Sequence, residues 1–399
     1  MRLIIVTAVL FLTVLSAVGC ATEERTVFIS APARRTLSKL PKMWNYDDPR
    51  FGIEAEFIQN EQIRCLTLAM WHQGARVDYP SLMVISGAVA NFHYNPNEKY
   101  WCYMLSPDSP EWRALKSIGY NFSFLAPVAP EQAYAFIKNR ISAGKLVLAS
   151  WLSPVVFYGF DESSEEPVLY YYNNPFAMEG GKWTMTEFAE EYWGAKVSKE
   201  LFAVTEKRAD VDVTKAVEYA MKRIVLCAKQ NRLKKSVYLE NYDVSGIETG
   251  FKAYEAYARD LEDMSKKMKK DTDDKDGYFD PGWGCYAIYP QWTARAATAV
   301  FLRRYAPEHY KEYYHEHLAK AAEYYDKEIE AWKEWEKHLG RNIELWEKDE
   351  KAASADFLGR WNDPKHRKAG AAAVREALKY EKLAVAEVEE VLRAPIKEE

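Results

Sequence analysis

The chain has 399 residues, 48% of them hydrophobic, with a net charge of −5. That hydrophobic fraction excludes wholesale disorder, and the length is enough for two ordinary domains. An acidic balance argues against a generic nucleic-acid binder, and 57 aromatic residues (27 Tyr, 17 Phe, 13 Trp) suit a large packed core or a ligand cleft.

Residues 1–19 read as a secretory signal: Arg2 precedes an apolar run from Leu3 to Val18 that ends on small residues. The ending Ala17-Val18-Gly19-Cys20 resembles the lipobox of bacterial lipoproteins. The resemblance implies lipid on Cys20 and a body held outside the cytoplasm, at a bacterial membrane surface. Residues 20–50, polar and basic with Pro32 and Pro41, read as a tether.

Residues 51–205 alternate helical and strand patterns. Arg64 to His72 and Pro130 to Ala143 read as helices. Leu146 to Leu152, Val155 to Phe160 and Val168 to Tyr172 read as strands, rich in β-branched and aromatic residues. The polar run Asp161 to Pro167 supplies a turn between the last two, and Thr184 to Tyr192 reads as another helix. The expected class is α+β with an antiparallel sheet.

From residue 209 to 394 the pattern predicts a helical bundle without strands. Helices are expected over Val213–Lys229, Ile247–Met268, Gln291–Tyr305, Tyr314–Leu339 and Ala371–Leu392. The Tyr and Trp stripe of the fourth, with Tyr325, Trp332 and Trp335 at helical spacing, reads as core rather than a cofactor box. The acidic run Asp271 to Asp280 fails as a calcium loop. With Gly277 in register, Thr272 and Trp283 occupy ligand positions. The four cysteines other than Cys20 are Cys65, Cys102, Cys227 and Cys285. They allow three disulfide connectivities, but the prior for the last three is small buried apolar residues. No Cys-x-x-Cys pair exists, so a structural zinc site is not expected; no motif calls for another metal or a cofactor, and none is expected.

The chemistry-bearing stretch is Gln59 to Gly74, in which Cys65 opens a helix behind Gln59 and Gln62. A helix N-terminus stabilises a thiolate, and a nearby Gln can donate to a developing oxyanion. This stretch resembles papain-like peptidases of the C39-like group, where Gln…Cys-Gly-x-x-Ala-Leu opens the domain; here Leu66 stands at the Gly position. Ser81 to Tyr94, Ala143 to Leu148 and Val155 to Asp161 are similar to the N-terminal domain of the butirosin biosynthesis protein H family. Arg295, Ala299, Phe301-Leu302 and Tyr325 to Trp332 resemble the helical domain of unknown function that often follows it.

The resemblance implies a papain-like fold and an acyl-transfer site in the chain order Cys, His, Asp/Asn. Cys65 falls on the nucleophile position, Asn174 on the orienting position, and Gln59 or Gln62 on the oxyanion position. The family's His precedes the Val155 strand, where this chain has Ser153-Pro154, and proline cannot transfer a proton. His72 is seven residues past Cys65, about 10 Å along the helix axis, too far to act as base. Two expectations follow. One is a catalytically dead or weakly active papain-like domain that binds a peptide, a small molecule such as a sugar, or a cell-wall fragment, with Trp151, Phe157 and Tyr158 lining the groove. The other is a thiol-dependent acyltransferase or amidohydrolase with a rearranged base, His93. A third reading is a lipid-anchored structural protein.

Overall fold

The computed structural model describes residues 34–37, 49–58, 60–90, 92–94, 110–125, 128–150, 155–173, 180–193, 200–208, 213–230, 247–266, 281–340 and 342–393. In chain order the N-terminal half carries β1 (Arg34–Thr36), α1 (Glu61–His72), α2 (Tyr79–Ser86), β2 (His93–Tyr94), α3 (Pro110–Ser117), β3 (Tyr120–Leu125) and α4 (Pro130–Ser142). It continues through β4 (Val147–Ser150), β5 (Val155–Asp161), β6 (Val168–Asn173), β7 (Gly180–Thr184), α5 (Met185–Glu187) and β8 (Glu200–Lys207). The C-terminal half carries α6 (Val213–Lys229), β9 (Glu248–Thr249), α7 (Phe251–Glu262), α8 (Pro281–Arg304) and α9 (His315–Leu339). It ends with α10 (Ile343–Lys348), α11 (Glu350–Asn362) and α12 (Pro364–Leu392). An antiparallel sheet flanked by helices is thus followed by a mainly helical region, the α+β then helical order that the sequence pattern predicts.

The main sheet runs β3-β8-β4-β5-β6-β7, antiparallel throughout. Successive residues of β4 and β5 point to opposite faces. Leu148 and Val156 join the main core with Ile63, Leu66 and Met70 of α1. On the other face α4 lies against β5 and buries Ala133, Ile137 and Ile141, spaced by one helical turn. The polar turn after β5 forms as expected, with Asp161 Oδ1 accepting from the Ser163 amide at 2.9 Å and its hydroxyl at 2.6 Å. The Thr184 helix also forms, opened by a capping box in which Thr184 and Glu187 satisfy each other's backbone amides. It passes at once into a π-turn over Phe188–Trp193.

Several expectations change. Part of the expected tether is a strand: Arg34, Arg35 and Thr36 pair with Asp161, Phe160 and Gly159 of β5, on the edge left open beyond the first residue of β4. Gly159 makes this possible, because a side chain there would collide with Thr36 Cγ2 at 2.8 Å. Strands do not vanish after residue 208, since β9 pairs with β2 in a separate two-stranded ladder. The helix expected over Ile247–Met268 stops at Glu262, where the chain turns through Asp263 to Lys266.

The long helices follow their apolar periodicity. α9 buries Leu318, Ala321, Tyr325, Ile329, Trp332, Trp335 and Leu339, so the aromatic stripe is core. α12 starts on an Asp363 cap with Pro364 in its first position and lies along α9. The main core is continuous from Phe51 through the sheet to Val391 of α12. A second core gathers Phe92, Tyr254, Trp332, Trp335 and Trp361.

Candidate functional site

α1 begins earlier than the apolar pattern suggests, because Asn60 caps it: its side chain accepts the Ile63 amide at 3.0 Å. The Asn60 amide in turn donates to the Tyr79 hydroxyl at 2.9 Å. Cys65 is therefore the fifth residue of the helix and not in its first turn, where the helix dipole acts. It is only 2% exposed and belongs to the main core. Gln62 sits in the first turn, half-buried. The far end of α1 is pinned by His72, whose Nε2 lies 3.2 Å from the Gly144 carbonyl oxygen, so this imidazole serves a structural contact.

Gln59, Trp151, Pro154 and Asn174 lie outside the described residues, as does Cys20. The backbone of His93 pairs with Thr249 in the β2–β9 ladder; its side chain is not among those described. Phe157 is fully buried among Tyr171, Trp183 and Phe188, with ring centroids 5.9 to 6.5 Å away, so it is core and lines no groove. Tyr158 is different. It is the extra residue of a bulge in β5, half-buried, stacked on Tyr172 at 4.6 Å and 6.1 Å from Tyr170. Burial, with the neighbouring phenols Tyr172 and Tyr170, pushes its hydroxyl above the ordinary tyrosine value.

Polar chemistry is concentrated elsewhere, at residues to which the resemblance gives no site role. Arg295 of α8, Glu328 of α9 and Glu381 of α12 meet in the interior. Arg295 Nε is 2.7 Å from Glu381 Oε2 and 3.3 Å from Glu328 Oε1. Its Nη2 donates to the Tyr254 hydroxyl at 3.1 Å, and its Nη1 donates to the Val89 carbonyl, just past α2. Tyr254 and Trp332 both donate to Glu328 Oε1, at 2.7 and 3.1 Å. A cavity of about 10 Å³, room for one water, opens beside Arg295, Glu381, Tyr254 and Thr298. The sequence signal was a charged residue in an apolar phase: Glu328 falls between Tyr325 and Trp332 on the buried stripe of α9.

Arg367 of α12, 1% exposed, was also missed. It donates to the carbonyls of Asp260, Leu261, Asp263 and Lys266, at 2.6, 2.8, 2.8 and 2.6 Å. It thereby caps the C-terminus of α7, whose last carbonyls have no partner within the helix.

Among the described residues, no group of three or more His, Cys, Asp or Glu side chains is arranged to hold a metal ion. Among them, too, no helix is long and apolar enough to cross a membrane. A groove of about 580 Å³ at the end of the bundle is open and lined by charged groups such as Glu336, Asp356 and Arg360. It lacks the apolar walls that usually mark a small-molecule site. No protein-family model matches the chain, and no curated protein matches it in sequence.

Proposed function

We propose that this chain is a catalytically silent relative of papain-like acyl-transfer proteins, one that binds a peptide, sugar or cell-wall fragment without transforming it. Lipid on Cys20 would hold it at the outer face of a bacterial membrane. The observation that carries the reading is the burial of Cys65 in the second turn of α1. Nucleophilic attack needs the sulfur about 3–3.5 Å from a substrate carbonyl carbon. A side chain sealed beneath its own helix offers no such approach. Pro154, at the position where the resemblance expects the His, adds the loss of the proton carrier. The half-buried Tyr158–Tyr172 stack, with Tyr170 tilted beside it, supports a binding role, since tyrosine offers both a ring face and a hydroxyl to a polar ligand.

Iodoacetamide labelling of the native protein across pH, read peptide by peptide against a Cys65→Ala control, tests this. Cys65 is expected to stay unlabelled until the chain unfolds, while the half-buried Cys227 reacts before it. Rapid native labelling of Cys65 below the ordinary thiol value of about 8.5 would overturn the reading and favour an active thiol.

A further inference from the structure

We infer that Glu328 and Glu381 hold one proton between them at neutral pH, as a buried acid–carboxylate pair at the junction of α7, α8, α9 and α12. Two carboxyls meet one guanidinium, and all three groups are buried, so full ionisation would leave a net negative charge in the core. Burying an uncompensated charge is costly, and a carboxyl in that position takes up a proton instead.

Geometry then says where the proton sits. Glu328 Oε1 collects two hydrogen bonds, from the Tyr254 hydroxyl and the Trp332 indole, and faces Arg295 Nε as well. Glu328 Oε2 receives no donor among the described residues, nor does Glu381 Oε2, although Arg295 Nε lies 2.7 Å from the latter, out of line for a hydrogen bond. One carboxyl with a crowded oxygen and a bare one is what a neutral acid presents: the crowded oxygen is its carbonyl and the bare one its hydroxyl. The two carboxyls are hydrogen-bonding neighbours, so a hydrogen on Glu328 Oε2, donated to Glu381, gives the orphan oxygen of Glu328 its partner. Glu381 keeps the negative charge and the ion pair with Arg295.

The other groups that face Glu328 agree. Tyr254 of α7 and Tyr325 of α9 are fully buried phenols whose hydroxyls burial pushes well above the ordinary value, so neither adds charge at neutral pH. Burial pushes the Glu328 carboxyl well above the usual carboxylate range; the charge of Glu381 raises it further, and Arg295 pulls it partly back. The same guanidinium holds the Val89 carbonyl. The proton therefore lets Arg295 serve one carboxylate and still reach the N-terminal half.

The sign follows from linkage. A carboxyl with a raised value in the fold contributes stability that is complete below its unfolded value and is lost as pH rises toward its folded value. Glu328→Gln carries a permanent amide donor in place of the acid and escapes that loss. Equilibrium urea unfolding of both proteins from pH 4 to 9 is the test. The folding constant of the wild type should fall relative to Glu328→Gln by about tenfold per pH unit above about pH 4.3, until the pair releases its proton. Parallel pH profiles for the two proteins would overturn the inference. If Glu328→Gln does not fold, the infrared spectrum of the wild type decides. The carbonyl band of a neutral carboxylic acid persisting at pH 8 supports the shared proton, and its absence refutes it.

Discussion

Replacing Arg367 by Met measures how much of the bundle depends on one guanidinium. The substitution keeps a long unbranched side chain and removes every donor. Four carbonyl oxygens then lose their partner. Those of Asp263 and Lys266 lie in the half-buried turn and can take water instead, whereas Asp260 and Leu261 are buried. A buried carbonyl left unsatisfied costs about 1–3 kcal/mol, so two of them cost about 2–6 kcal/mol. The thioether, more readily buried than a guanidinium, offsets about 1 kcal/mol of that. The expected loss is about 3 kcal/mol, seen as a lower urea midpoint with an unchanged slope. Arg367→Lys should lose roughly half as much, because one ammonium carries three donors and lacks the planar fork. Hydrogen exchange should locate the damage in the last turn of α7. A midpoint for Arg367→Met within about 1 kcal/mol of wild type would show that the four bonds are replaced by water and that the cap argument is wrong.

Three further outcomes are expected. Gly250→Ala should destabilise by at least about 1–3 kcal/mol in thermal or urea unfolding, because φ there is +55° and a Cβ would run into the backbone carbonyls of Cys227 and Ala228. Thr184→Ala removes one half of the capping box and should cost about 1 kcal/mol by the same measurements. Hydrogen bonds from the Ser163 hydroxyl and amide, with Arg34 nearby, hold the Asp161 carboxyl below the usual range. Its contribution to stability is present above the unfolded value and lost as pH falls through the folded one. The gap in thermal midpoint between wild type and Asp161→Asn should therefore narrow on acidification, and a constant gap would refute that assignment.

What could be read from the chain alone was what repeats along it. α9 is legible because Tyr325, Ile329, Trp332 and Trp335 recur every three or four residues, and β5 and β6 because they concentrate Val, Phe and Tyr. β7 is not legible: Gly180-Gly181-Lys182-Trp183-Thr184 has little side-chain pattern, and its place comes from pairing with β6, where the Tyr171 ring occupies the space above Gly181. The start of α1 is set by a single polar side chain, Asn60, and three residues of shift carry Cys65 out of the dipole's reach. Glu328 announces itself as a charge in an apolar phase. That its partners are Arg295 and Glu381 depends on how α8, α9 and α12 pack, which no local pattern encodes.

The position of β8 has a kinetic consequence. β8 lies between β3 and β4, which precede it in the chain by some fifty residues or more. Until residues 200–207 have left the ribosome, β3 has no neighbour in the sheet and one side of β4 is bare. A nascent chain halted at that stage presents two open strand edges, Tyr120–Leu125 and Val147–Ser150, the second almost wholly apolar. Such edges pair readily with other chains. The sheet is then closed by a late arrival rather than extended strand by strand. A substitution that slows the docking of β8, such as Phe202→Ala, should lower the soluble yield on synthesis more than it lowers the stability of the finished protein.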